Sequence, residues 1–294
     1  MRWGDMRPSD NVEQGGGGGG FPLGGGMRLG GGAIILIVIV SLVFGINPLS
    51  LLGMLEGGGP VVQQAPTQAP TQAQKQSSAD RAAKDPTFDF VRRVTGDTED
   101  VWTALFKQMG QRYEPPRLQV FSQVTQTACG NATAASGPFY CPGDHKVYLD
   151  TAFFQQLSQR FGAPGDFAAA YVIAHEVGHH GQNLLGTMDK YEAAGIQRGD
   201  PRARNAMSVR LELQADCYAG VWGFYAAKRN LLDPGDVEEG LRAASAVGDD
   251  NITKGRVSPD AFTHGTAAQR TRWFRQGMTT GDPRTCNTFA ARDI

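Results

Sequence analysis

The strongest chemical signal in this chain is five consecutive residues, His175-Glu176-Val177-Gly178-His179. On a helix, positions four apart face nearly the same way, so the two imidazoles can reach one ion. Zinc takes nitrogen ligands at about 2.0–2.1 Å and favours tetrahedral geometry. Glu176 directly follows the first imidazole, where its carboxylate can take a proton from a water on the ion. A third ligand has to come from elsewhere. Glu212 and Asp216 form a second pair spaced by four, set among Leu211, Leu213, Ala215, Tyr218, Ala219, Val221 and Trp222. Two carboxylates in so apolar a helix call for a cation. Glu212 then completes a His₂Glu donor set with its fourth position left to water. Asp216 accepts a hydrogen bond from the far nitrogen of a ligand histidine and fixes its tautomer.

This constellation, with Zn²⁺ as cofactor, predicts hydrolysis of peptide bonds by an activated water. A zinc amidase acting on cell-wall bonds needs the same water, and the residues do not separate the two. A noncatalytic membrane-tethered binding protein with a structural zinc predicts four protein ligands and leaves Glu176 without a task.

The elements that must position these residues are mostly helices. Phe167 to Ala174 is apolar and helix-compatible, Asp166 can cap its start, and the helix runs to about Gly181. Asp200-Pro201, Asp233-Pro234 and Ser258-Pro259 each pair a capping oxygen with a proline at a first helical position. Further upstream, Phe90, Val91, Val94, Val101, Trp102, Leu105 and Phe106 suggest one or two amphipathic helices. Arg117 to Phe121 and Lys146 to Asp150 read as strands. The second of them is either an edge that pairs an extended peptide or an ordinary paired strand. His180 points about 100° away from His179 around the helix, so no metal contact is expected there. His145 borders a strand and is expected at the surface. The fold class is therefore α+β, mostly helical, with a small sheet placed early.

The 294 residues carry a formal charge of −1, which gives no reason to expect nucleic-acid binding. Composition divides the chain. Residues 1–28 are Gly-rich and are expected to be a disordered cytoplasmic tail. Residues 29–55 contain no charge and are long enough for a transmembrane helix. Residues 56–84 read as a Pro/Gln/Ala linker with a repeated Ala-Pro-Thr-Gln, and residues 85–294 are expected to fold as the domain that carries the zinc metallopeptidase residues. Arg2, Arg7 and Arg28 precede the span, and no basic residue follows it until Lys75. The positive-inside rule then predicts a single-pass membrane protein, N-terminus cytoplasmic and catalytic domain periplasmic or extracellular. Cys129, Cys141, Cys217 and Cys286 all follow the span, so disulfides are expected. Of the three connectivities, 129–141 with 217–286 is the most economical.

The resemblance to a known family is carried by several segments. They are the opening Met-Arg-Trp, Asn11-Val12-Glu13, the Gly-rich tract, the apolar run, His-Glu-Val-Gly-His-His, the stretch Leu211 to Trp222, and Thr263-His264-Gly265 through Gln269-Arg270. Together they resemble the bacterial neutral zinc metallopeptidase family, zincins in which a downstream glutamate shares the metal. The likeness covers nearly the whole chain. It departs after Gln14, where glycines stand in place of charged residues. The resemblance implies a zincin-like domain, a peptide or protein substrate, and a downstream His or Tyr that stabilises the oxyanion. His264 is the candidate for that role. Tyr218 and Tyr225 lie on helix faces suited to packing.

Overall fold

The computed structural model describes residues 1–15, 70–193 and 200–294. Among the described residues, six short strands come early: β1 (Val12–Gln14), β2 (Arg117–Phe121), β3 (Val124–Thr127), β4 (Gly130–Thr133), β5 (Phe139–Cys141) and β6 (Lys146–Asp150). The main sheet has the order β1-β2-β6-β5. β1, β2 and β6 run parallel and β5 pairs antiparallel with β6, while β3 and β4 form a separate hairpin. β6 is therefore an interior strand, hydrogen-bonded on both sides. Of the two readings of 146–150, the ordinary paired strand holds, and β5 is the edge on that side.

Helices α1 (Gln72–Ala82) and α2 (Pro86–Gln108) precede β2. After the sheet come α3 (Ala152–Gln159), α4 (Asp166–Leu184), α5 (Thr187–Ala193), α6 (Pro201–Lys228), α7 (Asp236–Ala246), α8 (Asp249–Thr253) and α9 (Ala267–Thr280). The proline signals have three outcomes. Asp200 accepts from Arg202 N and starts α6. The Asp233-Pro234 turn delays its helix to Asp236. Ser258-Pro259 opens only a 3₁₀ turn, Pro259–Ala261.

α4 is the centre of the molecule. Phe167 to Gly178 is buried without interruption, as befits a helix apolar on all sides. It packs against α2, α3, α6 and α7 and against β5 and β6. Two close approaches set the geometry. A Cβ at Gly178, inside the five-residue motif, would lie 3.0 Å from the Ala215 carbonyl oxygen of α6. Lacking one, α4 and α6 cross closely beside the motif. Likewise, a Cβ at Gly277 of α9 would meet the Cys217 carbonyl at 2.0 Å, so α9 lies directly against α6.

Disulfides join Cys129 to Cys141 and Cys217 to Cys286. The first ties the hairpin turn to β5. The second ties the C-terminal segment to α6.

The N-terminal expectations need correction. Among the described residues no helix is long and apolar enough to cross a membrane. The expected span over 29–55 lies outside the described residues. Val12, Glu13 and Gln14 pair with Leu118, Gln119 and Val120 in the sheet, and Arg2 N donates to the Leu231 carbonyl at 2.8 Å. A single crossing of a bilayer core about 30 Å thick would separate residues 1–15 from the domain they bond to. The fold with a preceding transmembrane helix, and the single-pass localisation with a cytoplasmic N-terminus, are therefore not supported. Residues 1–15 are part of the sheet and its surroundings rather than a structureless tail. Of the expected linker over 56–84, residues 72–82 form the helix α1. Thr71 and Gln74 form a reciprocal capping box at its start, and Ser78 Oγ donates to the Val12 carbonyl at 2.7 Å.

Candidate metal centre

His175 and His179 project from one side of α4, their ring centroids 4.8 Å apart. The α4–α6 crossing at Gly178 brings Glu212 opposite both. Its Oε2 lies 3.1 Å from His175 Nε2 and its Oε1 lies 3.5 Å from His179 Nε2. Two ligands at about 2.05 Å on a tetrahedral ion stand about 3.3 Å apart, and the two separations bracket that value. One donor atom from each of the three residues lies within 4.8 Å of the others. The donor set therefore fits a zinc ion.

Glu176 is buried, 8% exposed, and has no hydrogen-bond partner among the described residues. Burial pushes its carboxyl pKa up, while His175 and His179 nearby pull the other way. Burial opposes protonation of His175, yet Asp216 and Glu212 outweigh it and push that imidazole up to about 10. Burial also opposes ionisation of Glu212, but His179, His264 and His175 hold it well below the usual carboxylate range. With the imidazoles neutral, as ligands of an ion must be, and the acids counted as ionised, Glu176, Glu212 and Asp216 face one buried guanidinium, that of Arg270. Two negative charges are left over, the charge a divalent cation supplies.

Asp216, fully buried, accepts from His175 Nδ1 at 2.9 Å. It also accepts the Tyr171 hydroxyl and two bonds from Arg270, at 2.8 and 2.9 Å. His264 lies within electrostatic reach of Glu212. Its Nδ1 is 3.0 Å from Asp249 Oδ1. Asp249 Oδ2 accepts the backbone N–H groups of Thr263, His264 and Gly265 at 2.8, 2.7 and 3.1 Å. A carboxylate holding three amides of a loop and its imidazole together leaves that side chain little freedom.

His180 points away from the centre. Its Nδ1 is 3.0 Å from the Tyr140 hydroxyl and its Nε2 is 2.6 Å from the Glu114 carbonyl. Burial pulls its pKa down to about 4. Tyr218 packs edge-on against Trp102. The other acidic cluster, Asp166, Asp236 and Glu239, already has protein donors: the Met1 amine at 3.0 Å from Asp166 and Phe167 N at 3.2 Å from Glu239. An open cleft of about 640 Å³ lined by Trp3, Phe90, Asp150 and Asp166 contains none of the predicted site residues.

Sequence reasoning missed Tyr171, Gln182, Asp249 and the role of Arg270. One signal was available. The buried stripe of α9 is Arg270, Trp273, Phe274 and Gly277, so an arginine occupies a core position of an amphipathic helix. A buried arginine needs an acid partner. Asp249 leaves no such mark, because its partners lie fourteen or more residues downstream.

The chain matches the family described as "Putative neutral zinc metallopeptidase" over residues 1–289. It is 45% identical over 296 residues to "Uncharacterized protein YpfJ" of Escherichia coli K12, covering 98% of this chain and 99% of that one. It is 42% identical over 260 residues to "Uncharacterized protein Rv2575" of Mycobacterium tuberculosis H37Rv, covering 83% of this chain and 86% of the other. No solved structure matches it.

Proposed function

The chain belongs to the neutral zinc metallopeptidase family, and from that premise we propose that it is a zinc-dependent endopeptidase whose metal is held by His175, His179 and Glu212. The observation that carries this reading is the approach of one carboxylate to two imidazole Nε2 atoms, each at a tetrahedral-edge separation. When bound, zinc supplies a Lewis acid that acidifies a water and polarises the scissile carbonyl.

The residues divide the remaining work. Glu176, unpartnered and desolvated beside the imidazoles, takes the proton of the attacking water and passes it to the leaving amine. Burial that raises its pKa suits both halves of that task. His264, oriented by Asp249, donates to the oxyanion of the tetrahedral intermediate. Asp216 holds His175 with Nδ1 protonated, so that Nε2 presents its lone pair. Three protein donors among the described residues rather than four, with a free carboxylate alongside, suit an open catalytic site better than a closed structural one.

The test is digestion of a peptide library by wild type and by Glu176→Gln. The variant is expected to keep its zinc and lose at least about 100-fold in cleavage rate. Cleavage retained by the variant would rule out this mechanism. A chelator should abolish wild-type cleavage, and zinc should restore it.

A further inference from the structure

The two ligand histidines have unlike supports. His175 leans on a carboxylate, whereas His179 leans on an amide: its Nδ1 is 2.9 Å from Gln182 Oε1. Gln182 is fully buried, and its Nε2 donates to the Leu211 carbonyl at 2.8 Å and to Gln214 Oε1 at 3.0 Å. Gln214, 6% exposed, donates from Nε2 to the Cys286 carbonyl at 2.9 Å.

Carbonyl oxygens only accept, and this fixes the direction of every bond in the row. The Cys286 carbonyl requires the NH₂ end of Gln214 to face it, which turns Gln214 Oε1 towards Gln182. The Leu211 carbonyl and that oxygen both require the NH₂ end of Gln182, which turns its Oε1 towards His179. His179 Nδ1 must then carry the proton. Reversing either amide would set oxygen against oxygen in a buried site, where an unmade hydrogen bond costs about 1–3 kcal/mol.

We propose that Gln182 and Gln214 form an amide relay, polarised by two main-chain carbonyls, that fixes the Nδ1–H tautomer of His179 and so presents its Nε2 to the metal position. Gln182 is thus a positioning residue of the centre. The far end of the relay rests on the C-terminal segment, which the Cys217–Cys286 disulfide holds against α6 three residues after Gln214. The inference deepens the zinc reading and rests on His179 being a ligand.

Two measurements test it. Nitrogen-15 NMR of the imidazoles in the zinc-stripped protein, at mildly alkaline pH, should show neutral His179 as the Nδ1–H tautomer. An Nε2–H tautomer would overturn the relay whether or not the protein binds zinc. Second, zinc competition against a chromophoric chelator should show Gln182→Met binding about 10- to 100-fold more weakly than wild type, with the same circular dichroism spectrum. Affinity within twofold of a zinc-binding wild type would also overturn it. A wild type that binds no zinc while showing the Nδ1–H tautomer would instead contradict the metallopeptidase reading and leave the relay standing.

Discussion

Helices α2 and α6 both bury acids, and the surroundings treat those acids differently. On α2, Glu99 is 4% exposed and accepts from Ser9 Oγ, Asn11 Nδ2 and Arg7 Nη2. Asp97, 2% exposed, accepts two bonds from Arg229 and one from Trp222 Nε1. Each of these acids is matched by a cation of the protein. On α6, Asp216 is matched by Arg270, but Glu212 meets only imidazoles, and Glu176 stands unpartnered beside it. Matched buried charge fastens one element to another: Glu99 holds residues 7–11 on α2, and Asp97 holds the end of α6. Unmatched buried charge marks a site that binds something from outside. Burial alone does not distinguish the two; the count of partners does.

The contrast can be broken from either side. Zinc at 100 times its dissociation constant should stabilise wild type by about 2.7 kcal/mol. Glu212→Ala should abolish that gain in chemical denaturation, with a loss of affinity beyond the roughly 100-fold expected for an outer-shell residue. A zinc-dependent gain that survives the substitution would place the ion elsewhere.

Asp97→Ala should have the opposite profile. It leaves Trp222 Nε1 and a partly exposed guanidinium without their acceptor, so unfolding free energy should fall by about 2 kcal/mol. Zinc affinity should not change. A parallel loss of zinc would mean that the two regions are one cooperative system.

Arg7→Ala is the mildest case. Its side chain is 48% exposed, so solvent screens the pair and the cost should stay within about 1 kcal/mol. Hydrogen exchange at residues 12–14 should quicken, while exchange across α4 stays as slow as in wild type. Faster exchange in α4 would show that β1 supports the centre as well as the sheet.

Legibility in the sequence followed the range of the interactions. His175, Glu176, His179, Glu212 and Asp216 could be placed because a helix turns spacing into direction. The two helices that carry them were marked by an apolar run and by Asp200-Pro201. The cysteine pairing, 129–141 with 217–286, could be chosen on economy. Nothing local announces that Asp249 will hold His264, or that Gln182 faces Gln214 across a helix crossing. Residues 1–15 were misread because their composition promises so little buried surface. They add few apolar side chains of their own, chiefly Met6 and Val12. Strand pairing with β2 and the polar contacts of Glu99 fix them in place, and both depend on partners about a hundred residues away. α1 could have been read, since Thr71-x-x-Gln74 is a capping-box pattern, but Thr71 is also part of the proline repeat, which dominates the segment.

In the proposed centre, α4 and α6 deliver three donors to one ion and no others. Crystals of the zinc-loaded protein, measured on both sides of the zinc absorption edge, test it most directly. A single anomalous peak is expected about 2.0–2.2 Å from His175 Nε2, His179 Nε2 and a Glu212 oxygen, with no fourth protein ligand. A peak bound by four protein side chains, or one that leaves Glu212 outside its coordination sphere, would contradict it.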